Sequence, residues 1–250
     1  MKYLSSIIFF LVVFSTVCAQ EYAEKMDPEM TEIWEPEVPV ITPGENPSDA
    51  PFDAIILFDG TNLHDEWVDK NGDSTKWKVD EGVLYAVKGA GVLVTKRKFK
   101  DCQLHIEWRT PSEVTGKGQG RGNSGIYMQG FYEIQVLDSY ENRTYRNGQA
   151  GSIYKQHAPL VNACKAPGEW QSFDIIYRAP VFKADGTYRI PPCMTVLQNG
   201  VLIQNHSILR GPTAYVGIPE YKIKVHEARS IKLQDHSNPV AFRNIWIREL

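Results

Sequence analysis

The stretch GRGNSGIYMQGFYEIQVLD, residues 120–138, decides how the rest of the chain is read. Residues 123–129 and 131–138 read as two short strands folded back on each other, with Gly130 breaking the run as a tight hairpin requires. Side chains alternate faces along a strand. The first strand therefore presents Asn123, Gly125, Tyr127 and Gln129 together, and the second sets Glu133 and Gln135 against Ile134 and Val136. An acid, carboxamides and an aromatic ring, with no lysine among them, make an unusual solvent face. The set suits sugar hydroxyls, because a ring offers a stacking surface and planar polar groups bond hydroxyls in pairs.

Working outward, residues 101–110, DCQLHIEWRT, alternate most clearly: Cys102, Leu104, Ile106 and Trp108 against Gln103, His105, Glu107 and Arg109. The polar row reads either as a solvated sheet face or as part of a concave surface shared with the hairpin. Residues 169–178 alternate through Phe173, Ile175 and Tyr177. Apolar runs at 193–197 and 201–204 flank Gln198-Asn199-Gly200, and Asn-Gly there predicts a hairpin with positive φ at both turn positions. Shorter strands are predicted at 55–58, 76–79, 83–87, 92–95, 231–235 and 241–249, and 210–226 reads as a Pro- and Tyr-containing excursion. Roughly a dozen strands with hardly any helical period predict an all-β, two-sheet sandwich with short helical turns in its loops.

A chain of 250 residues has room for one large β domain plus ends. The net charge of -3 and the lack of a basic run exclude nucleic acid as the expected partner. Residues 1–19 carry Lys2, an apolar run at 7–13 and Val17-Cys18-Ala19, the pattern of a secretory signal peptide too short to span a bilayer. Acylation of Cys18 is the rival reading, poorly served by Val17. Export to the periplasm or the exterior is therefore expected. Residues 20–53 read as a Pro/Glu-rich arm with Trp34 as a potential anchor, and 54–250 as the globular domain. Cleavage after Ala19 leaves Cys102, Cys164 and Cys193, an odd set that argues against a fully paired disulfide framework. No CxxC spacing indicates structural zinc, and no Gly-rich dinucleotide fingerprint is present.

Several pieces of the chain together resemble the 3-keto-disaccharide hydrolase family: LFDGTNLHDEW at 57–67, W-x-V-x-x-G at 77–82, LHIEWRTP at 104–111, RGNSGIY at 121–127 and YEIQVLDSY at 132–140. GSIY at 151–154, PGEWQ at 167–171, LQNGV at 197–201 and LQDHSNPVAFRNIWIREL at 233–250 complete the match. Two departures stand out, Lys155 after GSIY and Ser237 after Asp-His, both where the family usually has glycine. The resemblance implies a concanavalin A-like jelly roll with a concave sheet. It also implies cleavage of glycosides already oxidised to a ketone at C3. Such a ketone acidifies the C2 proton; a base removes it, an enolate forms and the C1 substituent leaves, with or without rehydration.

That chemistry asks for one base, an enolate stabiliser and an acid near the leaving oxygen. It does not ask for the spaced carboxylate pair of an ordinary glycosidase. Glu133 is the expected base, with His236 as the alternative, and Gln135 completes the catalytic set. Asn123, Tyr127, Arg109 and Glu107 are expected to hold substrate, with Lys155 and His157 at the rim. Asp235 reads either as an orienting partner of His236 or as a turn cap. No cofactor is certain, but Glu107, His105, Glu133 and His236 would make a donor set for a divalent cation if they gathered. Without a dinucleotide fold, a separate sugar 3-dehydrogenase must supply the oxidised mono- or disaccharide. The competing reading is a lectin-like module that binds sugar without turnover, since this architecture hosts both.

Overall fold

The computed structural model describes residues 27–221 and 227–250, so the signal-peptide reading lies outside the described residues. The chain forms two compact units, Met1–Ile41 and Thr42–Leu250. In the first, a short 3-10 turn spans Pro28–Thr31, and Trp34 is 79% exposed with Nε1 donating to Glu32 Oε2 at 3.1 Å. Among the described residues no helix is long and apolar enough to cross a membrane.

The second unit is the sandwich the alternation predicts. Its larger sheet is built on β1 (Ile55–Phe58), β3 (Lys78–Asp80), β4 (Val83–Tyr85), β6 (Cys102–Arg109), β9 (Gln171–Arg178), β12 (Cys193–Gln198), β13 (Val201–Ile208) and β15 (Ala241–Glu249). The order is β13-β12-β9-β6-β15-β4-β3, with β1 also on β15. The smaller sheet joins β2 (Trp67–Asp69), β5 (Leu93–Thr95), β14 (Lys232–Leu233), β7 (Asn123–Met128) and β8 (Tyr132–Leu137) in the order β2-β5-β14-β7-β8. A separate ribbon pairs β10 (Val181–Phe182) with β11 (Tyr188–Ile190). One turn of helix, α1 (Leu63–Glu66), precedes β2. Alternation missed only β2 and the β10–β11 ribbon, whose strands of three residues or fewer are too short to show a period.

The apolar rows face each other. Leu104, Ile106 and Trp108 of β6 and Phe173 and Ile175 of β9 are fully buried, as are Ile126, Ile134 and Val136 of the hairpin. Burying each such side chain contributes about 1.5–3 kcal/mol. Trp108 packs on Phe173 with centroids 5.1 Å apart. Tyr177 donates from the larger sheet to Gln129 Oε1 at 2.9 Å, so Gln129 points into the interior and leaves the presented row. Cys102 is buried with its thiol pushed up to about 12 by burial first, and Cys102, Cys164 and Cys193 are all free. Both hairpins turn through left-handed residues, Gln129-Gly130 (φ 51° and 71°) and Asn199-Gly200 (φ 52° and 78°).

The polar row of β6 is not shared with the hairpin. It belongs to the other sheet, where His105 is buried and Gln103, Glu107 and Arg109 are half-buried. A bulge in β15 at Asn244 (φ 44°) turns that side chain so that Nδ2 donates to Ser48 O at 2.9 Å and Glu107 Oε1 at 3.0 Å. Trp246 Nε1 donates to the same Ser48 carbonyl at 3.0 Å, and Arg248 pairs with Asp53. Residues 42–53 thus strap the larger sheet. Beneath the strap His105, 1% exposed, stacks on Trp246 at 5.2 Å and holds Asp174 at 2.6 Å. Burial opposes charging this ring, but the bonds to Asp174 and Glu107 prevail and raise it to about 9.

A raised histidine stabilises the fold while it is charged in the folded state. That contribution is full below about pH 6.5 and is lost as pH rises through about 9. Urea unfolding of the wild type should therefore lose on the order of 1–3 kcal/mol across this window relative to Asp174→Asn, whose stability should not show that slope.

Candidate active site

The hairpin register sets Gly125 opposite Gln135 and Tyr127 opposite Glu133, so these residues and Asn123 share the outer face of the smaller sheet. β14 pairs with β7, placing Lys232 beside Tyr127 on that face. A cavity of about 620 Å³ opens over it. Its floor is Asn123, Tyr127, Glu133 and Gln135; Lys232, Gln234 and His236 form one wall. Tyr145, Tyr154, Lys155, Thr213 and Tyr215 form the other, and Gln119 closes an end. Two further depressions of similar size hold no buried carboxyl: Glu227 lines one, and Asp101 and Glu249 line the other, none of them buried.

Glu133 is 4% exposed. It lies across the gap left by Gly125, where a Cβ would stand 2.6 Å from Glu133 Oε1 and 2.9 Å from Tyr127 Cε2. Its own N–H donates to Thr213 Oγ1 at 3.0 Å. Burial raises the carboxyl strongly; the Tyr127 hydroxyl and the Lys232 ammonium pull it back, and the balance is about 7. Tyr127 accepts from Gln234 Nε2 at 3.3 Å, and burial with Glu133 beside it keeps its phenol protonated. Lys232 Nζ rides 3.7 Å from the Tyr127 ring centroid, and burial lowers its ammonium. A carboxyl poised near neutrality beside a cation, a phenol and carboxamides can accept a proton from carbon and meet the oxyanion that results.

Glu133, Gln135, Asn123, Tyr127, Lys155 and His236 of the sequence-predicted set meet in this cavity. Glu107, Arg109 and His157 do not. Glu107 sits on the other sheet, held at about 2 against the pull of burial by His105, Asn244 and Arg243. Arg109 stacks 4.6 Å from Trp170 and donates to Tyr85 Oη at 3.3 Å. His157 Nε2 lies 2.8 Å from Ile208 O. The cation donor set of Glu107, His105, Glu133 and His236 is likewise split between the sheets. Among the described residues no group of three or more His, Cys, Asp or Glu stands close enough to hold a metal ion. Asp235 caps its turn, accepting from Ser237 N at 2.8 Å and Gly91 N at 3.2 Å.

Lys232 and Gln234 were legible, since they alternate with Ile231 and Leu233 ahead of His236. Thr213 and Tyr215 lie in an excursion with no period. Both departures from glycine have left-handed backbone, Lys155 at φ 58° and Ser237 at φ 63°. Glycine enters that region without strain, whereas a side chain there is uncommon. At the first the side chain reaches back over the cavity: Lys155 Nζ donates to Tyr215 O and lies 4.2 Å from the Tyr215 ring.

Residues 53–248 match the model of the 3-keto-alpha-glucoside-1,2-lyase-like domain. The chain belongs to that family. It is 25% identical, over 80% of each chain, to the 3-keto-disaccharide hydrolase of Bacteroides thetaiotaomicron. A crystal structure from Parabacteroides distasonis ATCC 8503, provisionally assigned as a glycosyl hydrolase, is 52% identical with a TM-score of 0.83 over 90% of this chain and 97% of that one. A second from the same organism, at 21% identity, has a TM-score of 0.54 over 79% of this chain and 94% of that one, and shares the fold. Membership in the family supports glycoside cleavage, hydrolytic or eliminative, as the broad activity.

If Gly125 exists to make room for the carboxyl, a methyl there must displace it. Gly125→Ala should cost about 1–3 kcal/mol in denaturant unfolding through overpacking. Gly120→Ala, where a Cβ meets nothing within 4 Å, should stay within about 0.5 kcal/mol.

Proposed function

We propose that this protein cleaves glycosides carrying a ketone at C3 of the sugar, with Glu133 as the base that removes the C2 proton. The observation that carries the reading is a buried carboxyl raised to about 7 on the floor of a polar, tyrosine-walled cavity. The C2–H electron pair passes to the C3 oxygen as an enolate while Glu133 takes the proton. The enolate then re-forms the ketone and expels the C1 oxygen, leaving a C1–C2 alkene. Lys232 is the cation placed to stabilise the enolate oxygen, and His236, at the cavity wall, the candidate proton donor to the leaving oxygen. Asn123, Gln135 and Tyr127 would hold hydroxyls, with Lys155 at the rim. Addition of water across the alkene would turn elimination into net hydrolysis. In this reading the protein is exported, and a separate 3-dehydrogenase supplies its substrate.

In heavy water, NMR of a 3-keto-glucoside with the purified protein should show aglycone release and, from the reversible or rehydrated fraction, deuterium at C2. Glu133→Gln should lower kcat/KM by about 10²–10⁴-fold with the fold intact. Full activity in that variant would remove Glu133 as base, and saturable binding without turnover in the wild type would make the protein a sugar-binding module.

Only the ionised carboxylate can act as base, so kcat/KM should rise with pH and level off above about 7. Lys232→Met should lower kcat by about 10²–10³-fold, the usual loss for one oxyanion partner, with a smaller change in KM. An equal rise in KM with unchanged kcat would assign Lys232 to substrate binding instead.

A further inference from the structure

Behind Glu133 runs a line of side-chain amides whose polarity is set at its far end. Gln119 Nε2 donates to Gly148 O at 2.8 Å and to Thr144 Oγ1 at 3.2 Å. A backbone carbonyl only accepts, so the nitrogen must lie on that side and Gln119 Oε1 must face the cavity as an acceptor. Asn123 is oriented the same way, with Nδ2 donating to Gln119 O at 2.9 Å and Oδ1 free to accept. Between these two acceptors sits the nitrogen of Gln135, 3.0 Å from Gln119 Oε1 and 3.3 Å from Asn123 Oδ1.

The amide oxygen of Gln135 is thereby turned toward Glu133 Oε1, 3.2 Å away, and Ser124 O, 3.3 Å away. Gln135 is 2% exposed, so the contact is shielded from bulk water. A protonated Glu133 donates its O–H to that oxygen. An ionised Glu133 faces it acceptor to acceptor. Turning the amide over would give the carboxylate a donor, but would set the Gln135 oxygen 3.0 Å from Gln119 Oε1. In the observed orientation the amide oxygen faces the Ser124 carbonyl in either protonation state, and ionising Glu133 adds a second acceptor-to-acceptor contact, so neither orientation satisfies every partner when Glu133 is charged.

We propose that Gln119 is a positioning residue: by fixing the Gln135 amide with its oxygen toward Glu133, it makes Glu133 keep its proton, and ionisation of Glu133 is coupled to reversal of that amide. The other groups around the carboxyl act separately. Tyr127 on β7 and Lys232 on β14 favour the charged form, and the Tyr154 phenol, in the loop after β8, stands near it. Lys155 and His236 line the same cavity. The line of amides opposes the first two and sets the base near working pH, where proton transfer is most effective. It deepens the proposed function only in its kinetic consequence; the protonation coupling stands on the amide geometry alone.

The test is a pH titration of the Glu133 side-chain carboxyl by ¹³C NMR in wild type and in Gln119→Met, which removes the nearer acceptor and leaves only Asn123 Oδ1, at 3.3 Å, to hold the Gln135 nitrogen. The midpoint in Gln119→Met should fall by about one pH unit, a tenfold change in the ionisation constant. An unchanged midpoint in the folded variant overturns the proposal. A loss of activity without that shift, the mark of a merely structural role, does so too. In the wild type, which needs no variant to fold, the Gln135 side-chain amide signals should shift with the midpoint of Glu133; an amide indifferent to that titration also overturns it. The acid limb of kcat/KM on a 3-keto-glucoside should move with the NMR midpoint. If the wild type shows no turnover, the reading of Glu133 as base falls while the titration still decides the coupling.

Discussion

The desolvation of one carboxyl group organises this structure. Glu133 is buried on the outer face of a sheet, where a charged side chain would ordinarily reach water. It is enclosed because Thr213 and Tyr215 arrive from a distant excursion to join Tyr145 and Tyr154, with Lys232, Gln234 and His236 on the facing wall. Burial disfavours the charge, and Tyr127 and Lys232 recover part of it. The missing Cβ at Gly125 lets the carboxyl lie flat against the strand, and the hairpin register keeps it beside the phenol. Burial, the Tyr127 hydroxyl and the Lys232 ammonium together set how readily that group gives up its proton.

The other face of the sandwich carries a second set of polar groups with the opposite outcome. His105, Glu107, Arg243 and Asn244 neutralise one another beneath the strap of residues 42–53, and Trp246 covers the histidine ring. Glu107 is bonded to Arg243 and Asn244, and His105 to Asp174, so these groups are held by one another. Two polar rows of similar composition thus do different work, one bracing the sheet and the other lining a cleft. What separates them is coverage: a strap with the Ser48 carbonyl at bonding distance against loops that arch over and leave room.

Much of this was legible from alternation. β6, β9, β12, β15 and both hairpins follow from a period of two with Gly or Asn-Gly between runs. Within the site, Asn123, Tyr127, Glu133 and Gln135 are spaced two apart on paired strands, so their common face follows from the pleat. Glu107 and Arg109 obeyed the same rule in their own strand and misled, because alternation assigns a face within a strand and not the sheet to which the strand belongs. Lys232 was within reach of the rule; Thr213 and Tyr215 were not, since loops carry no period. The tethers of residues 42–53 depend on one β-bulge at Asn244, which composition does not mark.

By itself, the sequence determined the all-β class, the hairpin turns, the apolar rows and the row of acid, amide and phenol on the central hairpin. These are local consequences of side-chain alternation and left-handed turn residues. Only the tertiary structure decided which polar row became a cavity, that Lys232 stands over Tyr127, and that the amide of Gln135 is held between Gln119 and Glu133. Those outcomes depend on groups far apart in the chain meeting in a low-dielectric space, and their mutual distances set both the charge on Glu133 and the chemistry open to it.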